Sequence, residues 1–76
     1  MTPKAKEILA FFEKMHQEDK FFRTMDVAKN TDCTLATVHK WIREFKYSGL
    51  VVIDYFNDTK RHKDGIYKVK SINLSI

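Results

Sequence analysis

Apolar residues recur at helical spacing near the start of the chain. Ile8, Phe12 and Met15 share one face, Leu9 and Phe11 widen it, and lysines and glutamates occupy much of the remainder. Thr2 before Pro3 supplies a cap and a first-turn proline. The pattern therefore predicts a helix over 3–18, ending near Gln17 to Asp19. Its phenylalanine stripe reads as core or dimer surface rather than as the lining of a ligand pocket.

Lys20-Phe21-Phe22-Arg23 follows as a short extended piece. Thr24 is placed to cap a second helix over 24–30, with Asp26 in the first turn, where the helix dipole favours a negative charge. Asn30 to Asp32 are turn formers. Thr34 then opens a third helix over 34–48. Stepping about 100° per residue from Val38 brings Trp41, Ile42 and Phe45 within roughly 60° of it, so these four make an apolar face. Ala36, His39, Lys40, Arg43 and Tyr47 fall on the opposite side, flanked by Thr37 and Lys46, with Glu44 the one acid nearby. Gly49 ends the helix and Leu50 turns back towards the core.

Past Gly49 the period changes from helical to alternating. Leu50 to Phe56 is β-branched and aromatic, and in 66–72 Tyr67 and Val69 alternate with Lys68 and Lys70. The polar run NDTKRHKDG between them closes on Gly65, which predicts a β-hairpin over about 50–72. Its tip is Lys60-Arg61-His62-Lys63. Charged loops are ordinary on solvated hairpins, but three bases bracketed by acids favour a phosphate contact.

Size and charge narrow the function. Seventy-six residues make one small domain, 1–76, and an aromatic content of 13% helps so short a chain build a core. One cysteine excludes an internal disulfide and points to a reducing compartment. With no apolar run of membrane-spanning length and no signal-peptide pattern, the expected setting is cytoplasmic. Bases and acids cancel through residue 33. From Thr34 onward, Lys40, Arg43, Lys46, Lys60, Arg61, Lys63, Lys68 and Lys70 outweigh Glu44, Asp54, Asp58 and Asp64, so the net +4 lies wholly in the second half. A one-sided basic field suits a polyanion binder, because neutralising phosphates releases counterions.

The segment TMDVAKNTDCTLATVHKWIREFKYSGLV resembles the helix-turn-helix of winged-helix DNA-binding proteins, particularly prokaryotic regulators similar to the multiple-antibiotic-resistance repressors. The matching elements are Thr24, Val27-Ala28, Cys33-Thr34, Thr37-Val38, Ile42 with Phe45, and Gly49-Leu50-Val51. Two departures stand out: Thr31 where an aliphatic residue is usual, and Asp32 where glycine is usual. With the flanking segments the resemblance covers nearly the whole chain. It implies an α+β winged helix: a three-helix bundle with a helix-turn-helix, plus a C-terminal β-hairpin wing.

That resemblance implies sequence-specific binding of double-stranded DNA by a small transcriptional regulator, with the third helix in the major groove. The expected contacts are Thr34, Ala36, Thr37, His39, Lys40, Arg43 and Lys46 on that helix, and Lys60, Arg61 and Lys63 at the hairpin tip. Arg43 or Lys40 could pair with guanine, and Ala36 or Thr37 could touch a thymine methyl. Thr34 and Thr37 could instead hold phosphate, and for Thr34 simple capping is an equal alternative.

No enzymatic activity, metal or cofactor is expected. His16, His39 and His62 lie on different elements without zinc spacing, and Gly49 and Gly65 form no phosphate-binding loop. Cys33 is expected to be a small buried turn residue. The rival reading is a winged-helix adaptor that binds a protein such as a polymerase component through exposed Phe11, Phe12, Phe21, Phe22 and Tyr55. RNA is a weaker alternative, because no pair of stacking aromatics on a sheet is evident. A homodimer is expected, with the first helix and the tail Ser71 to Ile76 as candidate surfaces. No inducer-binding segment follows the hairpin, so control by a small ligand is not expected. A bare module of this kind suits a virus or plasmid, and a viral origin would place it in the host cytoplasm.

Overall fold

The computed structural model describes residues 1–56 and 65–73. Three helices, α1 (Pro3–Glu18), α2 (Thr24–Thr31) and α3 (Leu35–Ser48), stand with three short strands, β1 (Phe21–Phe22), β2 (Val51–Phe56) and β3 (Ile66–Ile72). The strands form one antiparallel sheet in the order β1-β3-β2, so the fold is α+β. No helix among the described residues is long and apolar enough to cross a membrane.

Each helix end has a local cause. The Thr2 hydroxyl accepts a hydrogen bond from the Ala5 N–H at 3.2 Å, with Pro3 in the first turn. Asp19 stops α1 in the left-handed region at φ 54°, and the Lys20 N–H reaches back to the Met15 carbonyl at 3.0 Å. The cap of α2 differs from the expected one. Arg23, not Thr24, holds the N-cap position, and its N–H donates to the Asp26 carboxylate at 2.8 Å. Thr24 lies one residue inside and is buried.

Both departures in the α2–α3 turn have a physical role. Thr31 is buried as an aliphatic residue would be, because its hydroxyl donates to the Val27 carbonyl at 2.6 Å. Asp32 takes up the left-handed conformation at φ 51°, which aspartate tolerates better than most residues. The Lys4 ammonium donates to the Thr31 and Asp32 carbonyls at 3.0 and 3.3 Å, tying the start of α1 to the end of α2.

One core holds the layers together. Ile8, Phe12, Val27, Val38 and Val51 are essentially solvent-free. Phe12 stacks on Phe22 at 5.4 Å between ring centres and meets Phe45 edge-on at 6.1 Å. Phe11 and Phe22 are buried as well. Of the aromatic residues expected to be exposed for a partner, Phe11, Phe12 and Phe22 are therefore core, while Phe21 and Tyr55 do reach the surface. Likewise the apolar stripe of α1 packs inside its own domain and leaves no apolar face for a dimer. Cys33 is half-buried against the core, not fully enclosed.

The sheet alternates as expected: Tyr67 and Val69 face inward, Lys68 and Lys70 outward. Between Val52↔Ser71 and Ile53↔Val69 the register skips Lys70, a β-bulge in β3. The pairing of β1 with β3 goes beyond the two-stranded hairpin read from the sequence. The sheet is also pinned to the end of α1. The His16 ring nitrogen Nδ1 lies 3.3 Å from the Val69 carbonyl, and Lys68 pairs with Asp19 at 2.9 Å.

Candidate nucleic-acid interface

The α2–α3 turn presents α3 with its apolar side inward and its basic side to solvent. Val38, Ile42 and Phe45 are buried, and Trp41 is half-buried with its ring 5.7 Å from that of Phe45. Ala36, His39, Lys40, Arg43 and Lys46 are exposed, and Thr37 is half-exposed. The helical period thus places six of the candidate residues along one strip, because side chains three and four apart share a helix face.

Thr34 stands at the head of this strip as the N-cap. Its hydroxyl accepts from the Thr37 N–H at 3.2 Å and donates to the Thr37 hydroxyl at 3.0 Å. Capping, one of its two expected roles, is therefore its role in the free chain. The turn leaves the hydroxyl exposed, so it remains accessible from outside.

The electrostatics of the strip contrast with those of other lysines. Lys4, Lys20 and Lys68 are each paired with a carboxylate. The Lys20 ammonium, hydrogen-bonded to Glu18 at 2.8 Å, lowers the pKa of that carboxyl, and Lys14 adds to the effect. Among the described residues, His39, Lys40, Arg43 and Lys46 make no such pair. Lys40 instead holds its ammonium 5.2 Å from the centre of the Trp41 ring, a cation–π contact at the border between core and strip. Glu44 is exposed close by and is the only acid of α3.

His39, Arg43, Lys46 and Tyr47 line an open depression of about 450 Å³ floored by Ile42. Tyr47, outside the expected set, lines this depression, and Leu35 is a further exposed residue of the same helix. Tyr47 is 94% exposed and Leu35 37% exposed. The wheel position of Tyr47, opposite Val38, carried the signal. Leu35 was harder to foresee, since it sits in the first turn before the core closes over the helix. Lys60, Arg61 and Lys63, expected at the hairpin tip, lie with His62 outside the described residues, as do Leu74 and Ile76 of the tail.

A second exposed cluster occupies the outer face of the sheet. Phe21 and Phe56 meet edge to face at 5.9 Å, and the Lys68 ammonium lies 5.1 Å from the centre of the Phe21 ring. A pair of aromatics on a sheet surface, not evident in the sequence, is thus present. Among the described residues no group of three or more His, Cys, Asp or Glu is arranged to hold a metal ion.

Comparisons of the chain with protein-family profiles, with curated proteins and with solved structures find no match.

Proposed function

We propose that the chain is a winged helix-turn-helix domain that binds double-stranded DNA and acts as a small transcriptional regulator. The observation that carries this reading is the strip of bases on α3, His39, Lys40, Arg43 and Lys46, all exposed and with no acidic partner among the described residues. The major groove of B-DNA is about 12 Å wide and admits one helix whose side chains reach base edges. Small or short residues at the start of α3, Ala36 and Thr37, permit close approach of that end. Arg43 and Lys40 are long enough to pair with guanine O6 and N7, while Leu35, Ala36 or Thr37 meets a thymine methyl. Thr34 and Lys46, at the two ends of the strip, are placed for phosphates. The three-helix, three-strand architecture is compatible with a winged helix, and Lys60, Arg61 and Lys63 then belong on the sugar-phosphate backbone.

Selection of bound duplexes from a random library, followed by fluorescence titration at two salt concentrations, tests this. Affinity should fall steeply with salt. Lys40→Ala and Arg43→Ala should weaken binding, and each lost phosphate contact should flatten the logarithmic salt slope by about one unit. A folded protein that ignores duplexes in dilute buffer would reject the reading.

A protein-binding adaptor is the second reading, and the exposed Phe21, Tyr55 and Phe56 favour it. It expects the α3 alanine variants to leave partner binding intact and Phe21→Ala or Phe56→Ala to abolish it.

A further inference from the structure

The two long sides of the sheet differ. On β3, the side away from β2 is occupied over Tyr67 to Val69: Phe21 and Phe22 pair with Lys68 and Tyr67, and His16 approaches the Val69 carbonyl. Among the described residues β2 pairs with β3 alone, so its other side is an open edge of six residues. Among the described residues no hydrogen bond from loop, helix or side chain closes it.

Exposed edges are normally guarded by lysine, proline, a bulge or extreme shortness. Val51 to Phe56 has none of these devices. Its single charged residue is Asp54, and the β-bulge lies in β3, on the far side of the ladder. Val52, Tyr55 and Phe56 are among the few exposed large apolar residues of the chain, each 47–50% exposed, so the strand is open along both its backbone and its side chains.

We infer that the β2 edge is the seam of a homodimer, in which two copies pair β2 against β2, antiparallel, and merge their three-stranded sheets. Three features favour a second copy over another occupant. A row of alternating N–H and C=O groups is complementary to its own two-fold image, so the partner needs no new chemistry. A two-fold axis perpendicular to the sheet preserves its faces, which sets Val52 and Phe56 of both copies on one surface and extends the Phe21–Phe56 cluster across the seam. The bases responsible for the net charge of +4 are absent from this strand, so two like-charged chains meet where repulsion is weakest. The opposite edge strand, β1, is only two residues long and too short to template a third copy, so association stops at two instead of propagating into a fibre. The Phe21 and Phe56 rings contact each other edge-on, with a lysine over one of them, which leaves them ill suited to stacking unpaired bases.

Sedimentation of the full chain over a wide concentration range, with amide hydrogen exchange read residue by residue, tests the seam. The expected result is a particle of two 9.0 kDa chains, with outward-facing β2 amides protected at high concentration and exchanging faster on dilution. Val52→Lys and Phe56→Lys, checked for unchanged helical circular dichroism, should each raise the dimer dissociation constant about tenfold or more, since each removes the same contact twice in an isologous interface. The exchange measurement on the unaltered chain stands even if a variant fails to fold. A monomer at all concentrations would overturn the inference, and one that binds single-stranded RNA would assign the aromatic face to stacking. A dimer whose β2 amides exchange freely would overturn it too. Duplex titration of the same samples is an independent readout, so failure of the seam and failure of DNA binding are told apart.

Discussion

The ring of Tyr55 covers Gly65 so closely that a Cβ at that position would overlap it. Gly65 precedes β3, and Tyr55 also packs on Tyr67 across the ladder at 5.0 Å. The start of the second hairpin strand is thus fixed by an aromatic lid over a residue without a side chain. Gly65→Ala should lower unfolding stability by about 1–3 kcal/mol, the usual range for overpacking a filled site. Urea denaturation checks it, and an unchanged midpoint would show that the lid swings aside at no cost.

Thr24 and Thr31 make a matched pair for a second prediction. Both are buried, but Thr31 donates to Val27 while the Thr24 hydroxyl has no hydrogen-bond partner among the described residues. Thr24→Val should be neutral or stabilising by up to about 1 kcal/mol, because a buried unpaired hydroxyl is removed. Thr31→Val should cost about 0.5–1.5 kcal/mol for the lost hydrogen bond. Equal effects in thermal unfolding would contradict this account.

Asp32 predicts a contrast between two substitutions at one site. At φ 51°, Asp32→Val forces a β-branched side chain into the left-handed region and should destabilise by about 1–2 kcal/mol. Asp32→Gly fits the same backbone and should stay within about 0.5 kcal/mol of the parent, strain relief offsetting the added freedom of the unfolded chain. If both variants unfold together, backbone conformation is not what matters there.

Glu44 tests the electrostatics of α3 without touching a proposed contact. It is the only acid of α3, so Glu44→Gln should tighten duplex binding a few-fold at low salt, with the gain shrinking as ionic strength rises. A gain independent of salt would point to a direct clash instead of a field effect.

Much of this fold was legible because its signals are local. Ile8, Phe12 and Met15 repeat at helical spacing, Gly49 stops α3, and Tyr67 and Val69 alternate with lysines. The α3 strip followed from the same arithmetic. What escaped was decided by tertiary contacts or by side-chain choices that several residues could make. A cap for α2 was expected from the Thr24 hydroxyl, yet the Asp26 carboxylate reaching back to the Arg23 N–H serves instead. In Phe21-Phe22, strand alternation sends one ring out and one in, but nothing local says which. The partner of β1 lies far along the chain, and its register could not be read from two residues.

The joints at His16–Val69 and Lys68–Asp19 have a mechanical consequence. They brace the sheet against the end of α1, while Lys4 braces the start of α1 against the turn leading into α3. Hairpin and α3 are thereby fastened to opposite ends of one strut. If both engage a duplex, the distance between the two points of grip is set by the protein, and the DNA must supply the compliance. Sequences that bend easily between those points would then be favoured without being touched.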